Sequence, residues 1–130
     1  IPVDPHYLQH AARLAGGESR LIAAALEINR GMPARVLTRL EAALGARGQG
    51  LCGAPILLVG VAYKPGVADL REAPGLLLLE GLEAAGARVE YHDPFLPQLG
   101  AEAGRFAGLS SVPLESLARF AAVVIVTDHP

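Results

Sequence analysis

One cysteine, Cys52, and no tryptophan stand among these 130 residues, with three Phe and three Tyr. A single thiol excludes an internal disulfide framework and fits a reducing compartment, which makes the cytoplasm the expected location. No apolar run approaches the ~18–20 residues that a membrane span requires, so no membrane partner is expected. Charge of either sign is also scarce in excess: the net charge is −2, which gives no electrostatic case for nucleic acid as a partner. The polar loop that follows the aliphatic run starting at Ile56 carries neither G-x-G-x-x-G nor G-x-x-x-x-G-K-[ST], so no phosphate-binding fingerprint marks it.

Against those absences, the chain is 52% hydrophobic and 18% charged, a composition that folds rather than remaining disordered. Its organising stretch is Ile56 to Pro97, ILLVGVAYKPGVADLREAPGLLLLEGLEAAGARVEYHDPFLP. An aliphatic run enters a polar loop carrying Tyr63, Lys64, Asp69 and Arg71. A Leu-rich helix follows, opened by Pro74 and stopped at Gly86, and a second strand, Ala87 to His92, ends at His92-Asp93-Pro94. The first strand, about Ile56 to Tyr63, is apolar throughout, as in a strand buried on both faces of a parallel sheet. Residues 94–111 read as irregular, 113–120 as a short helix opening with Pro, and 121–127 as a third strand. Helical crossovers then give a strand order of 2-1-3. The reversal between strands one and three makes a crevice at their carboxyl ends, flanked by Tyr63-Lys64 and Thr127-Asp128-His129.

Upstream of this unit the sequence is helical. Asp4 is positioned to cap a short helix from Pro5 to about Ala15, which Gly16-Gly17 end. Ser19 is positioned to cap a second helix to about Leu44, with apolar residues at three- and four-residue steps from Leu21 to Ala43. Pro33 predicts a kink or a restart near Gly31-Met32. So long an apolar stripe needs a partner from another domain or subunit. The Gly-rich joint Gly45 to Gly53 predicts two parts, a helical segment over 1–47 and an α/β domain over 48–130. A start at Ile1 and a stop directly after a strand-like run lead us to expect a piece of a longer protein.

The candidate chemistry lies mostly at the strand-to-helix edge. Lys64 at a strand tip and Arg71 before a helix N-terminus suit a phosphate or pyrophosphate. The plain alternative is an exposed Lys and an Arg paired with Asp69 or Glu72. Tyr63 offers an aromatic face or a backbone contact to a sugar or base. Asp93 is either an acid on a ribose hydroxyl or a turn former before Pro94. His6 and His10 have a spacing compatible with zinc, but no further ligands complete a set, so no metal site is expected. Cys52 reads as structural, and Asn29 as a buried polar contact at an interface.

Taken in order, the motifs resemble the UDP-sugar 6-dehydrogenases within the UDP-glucose/GDP-mannose dehydrogenase family. GVAYKPGVADLREAP followed by VEYHDPFLP resembles their C-terminal nucleotide-sugar-binding domain. IPVDPHYL resembles the segment after their catalytic cysteine, in the pattern G-G-H-C-I-P-V-D-P-x-Y-L. The helix with Glu27-Ile28-Asn29 and Met32-Pro33 resembles the central dimer-forming helix, and VVIVTDH the late strand. The TDH ending and the His-Cys form of the pattern look most like the branch acting on UDP-N-acetylmannosamine or UDP-N-acetylglucosamine. UDP-glucose and GDP-mannose dehydrogenases share the architecture.

The resemblance implies an NAD-dependent double oxidation of C6, from alcohol through aldehyde to carboxylate, by way of a cysteine thioester. By correspondence, Asp4 is the acid that manages a proton or orients water. Val3, with Ile1 and Pro2, lies along the nicotinamide cofactor, and Arg71 reaches the cofactor side of the cleft. Tyr63 and Lys64 contact the UDP-sugar. The implied assembly is a homodimer through the long helix. The family's cysteine would stand immediately before Ile1 and its NAD domain further upstream, so this polypeptide alone is expected to be inactive. Two readings from other classes stand beside the enzyme: a non-catalytic nucleotide-binding module and a self-association module.

Overall fold

The computed structural model describes residues 3–130. The expectations for Ile1 and Pro2 lie outside the described residues. Three parallel strands, β1 (Pro55–Val59), β2 (Arg88–His92) and β3 (Ala122–Ile125), run in the order β2-β1-β3. This is the order expected from the sequence. In β1, Ile56, Leu57 and Leu58 are fully buried, so the central strand is covered on both faces. Each such side chain contributes about 1.5–3 kcal/mol by leaving water.

Strand β1 is shorter than the expected span to Tyr63, and the reason is Gly60. Its φ of +75° turns the chain out of the ladder. The next two amides, Val61 and Ala62, leave the sheet for the Asp93 carboxylate, which accepts from them at 2.9 and 3.1 Å. Strand β3 likewise stops before Thr127, and Val126 N–H donates instead to the Val59 carbonyl at 2.9 Å.

Helix α1 (Asp4–Leu14) begins one residue before the expected start. Its N-cap is Val3, with no side-chain cap, so Asp4 is not the capping residue; it stands in the first turn, where a carboxylate favours the helix dipole. Helix α2 (Arg20–Gly45) is capped as expected, Ser19 accepting from Ile22 N–H at 3.4 Å. It runs unbroken through Pro33 rather than restarting. The carbonyl that loses its donor there belongs to Asn29, an exposed residue, so water can take the place of the missing amide. Asn29 is thus not buried within this chain.

Helix α3 (Pro74–Ala84) packs Leu78, Leu79 and Leu82 into the core. Gly75 lets its first turn approach β1: a Cβ there would stand 2.7 Å from the Val61 Cα. The second half of α2 covers another side of α3, with Leu44 buried and Val36, Leu37 and Leu40 packed on the same core. The first half of α2 meets α1 along one side, with Ile22 half-buried, and leaves Leu21 and Ile28 exposed on the other. Two 3-10 turns, Ala101–Phe106 and Leu114–Arg119, complete the chain between β2 and β3. The second is the short helix expected there, a 3-10 helix with Pro113 as its N-cap.

Candidate functional site

The carboxyl ends of β1, β2 and β3 meet around one buried carboxylate. Asp93, 1% exposed, follows directly after β2. Its Oδ2 accepts from Val61 N–H, Ala62 N–H and His129 Nε2, and its Oδ1 accepts from Phe95 N–H at 2.9 Å. The last bond is the turn role read from the sequence. The other three make Asp93 the anchor of the loop that follows β1. With four donors on two oxygens, this carboxylate is satisfied within the chain rather than aimed at a ribose.

A second set of bonds holds the same loop from β3. Thr127 Oγ1 donates to the Ala62 carbonyl at 2.6 Å, and Gly66 N–H donates to His129 Nδ1 at 3.2 Å. Tyr63 N–H donates to the Asp69 carbonyl at 2.7 Å and closes the loop. Tyr63 itself is half-buried against the core, while Lys64 is exposed. Lys64 is the single lysine of the chain. The loop is therefore tied on both sides of a cation that has no ion-pair partner among the described residues, an arrangement that suits an anion without requiring side-chain rearrangement.

Arg71 follows the plain alternative. Its guanidinium grips Asp69 in a two-pronged pair, with Nη2 2.7 Å from Oδ2 and Nε 3.0 Å from Oδ1. That guanidinium holds the Asp69 carboxyl down at about 2, and the carboxylate in turn raises the Arg71 pKa. The Arg71 side chain is 86% exposed. So exposed a pair contributes little to stability, and the arginine can exchange partners at little cost. Glu72, next in sequence, takes a φ of +55°, the only non-glycine positive φ among the described residues.

The other sequence-derived candidates stand apart. Asp4 lines a shallow apolar surface with Tyr7, Leu8 and Ile22. His6 lies at a groove of about 610 Å³ between α2, α3 and β3, where Met32, Val36, Leu77 and Ile125 supply the apolar walls. Neither surface includes Tyr63 or Lys64. Val3 is exposed at the N-cap of α1. Among the described residues no group of His, Cys, Asp and Glu could hold a metal ion, and no helix is long and apolar enough to cross a membrane. Cys52 is exposed and precedes β1, while Lys64 follows it. The five residues of β1 separate the two ends by about 17 Å at ~3.3 Å per residue.

Gly60, Gly75, Thr127 and His129 carry this edge; the sequence placed Thr127 and His129 beside the crevice, but gave none of the four its anchoring or close-approach role. The available signal was a glycine at the end of an apolar strand and another at the start of the next helix, a spread-out version of the close-approach glycines of dinucleotide folds. Apart from Phe95, the partners of the Asp93 carboxylate lie 31 to 36 residues away in sequence, beyond any local pattern.

Comparison with known proteins places this edge in context. Residues 57–130 match the UDP binding domain of the UDP-glucose/GDP-mannose dehydrogenase family. The chain is 32% identical to the UDP-glucose 6-dehydrogenase AglM of Haloferax volcanii over 98% of its own length and 29% of that protein. It is 29% identical to a UDP-N-acetyl-D-glucosamine 6-dehydrogenase of Pseudomonas aeruginosa, over 99% of its length and 30% of the other. A UDP-glucose dehydrogenase structure from Pyrobaculum islandicum superposes with a TM-score of 0.82 at 30% identity, covering 99% of this chain and 29% of that one. The chain thus spans under a third of the length of each of these relatives. On the match over its sheet, its loop and its strand order, the chain belongs to the UDP-glucose/GDP-mannose dehydrogenase family and carries that family's UDP binding domain.

Proposed function

We propose that this chain forms the nucleotide-gripping wall of an NAD-dependent nucleotide-sugar 6-dehydrogenase. The sugar is a UDP-N-acetylhexosamine, oxidised at C6 to the uronate in two hydride transfers through a cysteine thioester. The observation that carries this reading is an exposed Lys64 on a loop bonded from both sides at the sheet's carboxyl edge, inside a stretch that matches a UDP binding domain. Lys64 neutralises a phosphate of the UDP, and Tyr63 supports the base or sugar by ring or backbone contact.

Val3 and Arg71 are the residues of this chain that would hold NAD. Both fit: Val3 is an exposed apolar residue at the start of α1, and Arg71 an exposed cation held by Asp69. Bound NAD supplies the hydride acceptor. Within this chain, Arg71 would trade Asp69 for a cofactor phosphate. Asp4, exposed in the first turn of α1, would take a proton or orient water at the reacting carbon. Cys52 does not serve as the nucleophile, because it lies at the opposite end of β1 from Lys64. On this reading the polypeptide by itself is inactive, and division into a helical part (1–47) and a UDP-sugar-binding part (48–130) describes its share of the enzyme. The exposed side of the first half of α2, with Leu21 82% and Ile28 67% exposed, supports a homodimer formed along that helix.

A second reading is a UDP-glucose 6-dehydrogenase, favoured by two of the relatives above bearing that activity in their names. Melting temperatures measured with UDP, UDP-N-acetylglucosamine, UDP-glucose, GDP and NAD separate these readings, since a ligand that binds only the folded state stabilises it. UDP ligands are expected to raise the melting temperature by several degrees, and Lys64→Ala to abolish most of that rise. A larger shift with UDP-glucose than with UDP-N-acetylglucosamine would favour the second sugar. No shift with any nucleotide, in a chain that self-associates in sedimentation, would replace both readings with a self-association module.

A further inference from the structure

The His129 ring is almost completely enclosed, its side chain 5% exposed. It lies between two backbone systems that are far apart in sequence. Nδ1 faces Gly66 N–H at 3.2 Å, and Nε2 faces the Asp93 Oδ2 at 3.1 Å. A backbone amide can only donate, so Nδ1 is the unprotonated nitrogen of this ring. Nε2 then carries the hydrogen and donates it to the carboxylate. The Phe95 ring packs on the imidazole with centroids 4.9 Å apart at 34°, limiting its rotation.

These bonds define one direction of constraint. Asp93 is itself immobilised by Val61, Ala62 and Phe95 amides, so His129 transmits that fixed position to Gly66. The loop between Ala62 and Gly66 is then held at both ends, by Thr127 and Asp93 at Ala62 and by His129 at Gly66. Lys64 stands midway between the two anchors.

We propose that His129 is a positioning residue: as the Nε2–H tautomer it ties Gly66 to Asp93, holding the Lys64 loop in its ligand-ready shape. The loop's ligand rests on the reading under Proposed function, whereas the tie itself does not. A loop already ordered before binding loses less entropy when a diphosphate arrives. Releasing Gly66 should therefore weaken UDP binding about tenfold while leaving Lys64 chemically intact.

The test uses the 130-residue chain with 15N-labelled histidine. An unprotonated Nδ1 coupled to the Gly66 amide proton is the expected signal; a protonated Nδ1, or no coupling, overturns the tie. Two substitutions then separate its halves. His129→Gln keeps a donor for Asp93 but removes the acceptor for Gly66. His129→Asn places an oxygen where Nδ1 stood and keeps that acceptor, but it is too short to supply the donor to Asp93. Amide exchange at Gly66 should quicken at least tenfold in His129→Gln, which lacks the acceptor, and less in His129→Asn, which keeps the acceptor without its Asp93 anchor, with UDP affinity following the same order. Equal loss of affinity in both variants, in step with a falling melting temperature, would reduce His129 to a structural residue. A wild-type chain that binds no UDP would sink the ligand reading, and the Gly66 exchange rates would still decide the tie.

Discussion

Gly60 and Thr127 approach so closely that no side chain fits between them: a Cβ on Gly60 would overlap the Thr127 carbonyl and stand 2.7 Å from its carbon. The contact joins the carboxyl ends of β1 and β3, where the candidate site begins.

Gly60→Ala should therefore be severe, since it combines a φ of +75° with a collision against backbone that cannot yield. A loss of about 3 kcal/mol or more is expected. Gly66 has the same φ of +75° but open space around it, so Gly66→Ala should cost only about 1 kcal/mol. Urea denaturation of both variants measures the difference. Equal midpoints would show that strain alone, rather than the approach of the two strands, governs position 60.

The buried Asp93 makes a second prediction. Asp93→Ala leaves the Val61 and Ala62 amides without an acceptor in an enclosed site, at an expected cost of about 3 kcal/mol or more. Asp93→Asn retains one acceptor oxygen but turns an NH2 group towards donors. It should recover only part of that loss. Thermal melts of the two variants decide the matter, and an Asp93→Ala chain as stable as wild type would show that water satisfies those amides.

The Asp69–Arg71 pair sets a pH dependence with a definite sign. Asp69 falls from an ordinary 3.8 to about 2, chiefly because its side chain bonds the Arg71 guanidinium. A depressed carboxyl favours the folded arrangement above pH ~4, and that contribution disappears as pH falls through about 2. A carboxyl-carbon titration by NMR should place the Asp69 midpoint near 2, returning towards 3.8 in Arg71→Ala. Because both side chains face solvent, salt should also weaken the depression. A midpoint near the ordinary value in the wild-type chain would mean that Arg71 is already free of Asp69.

The elements and their order were legible because each is written in local pattern. The unbroken apolar run of β1 marked a doubly covered strand, the three- and four-residue steps marked α2, and Pro74 and Gly86 bounded α3. The element ends were less legible. β1 stops at Val59 because Gly60 turns and Asp93 captures the next two amides, a competition that only a residue 31 positions away could create. Asp4 reads equally well as a cap, and the difference lies in whether the backbone of Val3 is already helical, as its ψ of −33° makes it.

Local sequence thus determined the strand–loop–helix–strand unit, its strand order and the presence of Lys64 and Arg71 at its edge, since hydrophobic period and turn chemistry act over a few residues. The tertiary structure alone decided what those groups do before a ligand arrives. Arg71 is held by Asp69, Lys64 has no ion-pair partner among the described residues, and the loop carrying Lys64 is anchored by Asp93, Thr127 and His129. Hydrogen bonds between backbones distant in sequence leave no local signature, because any polar residue at a strand end offers them and only the folded sheet brings their partners within reach.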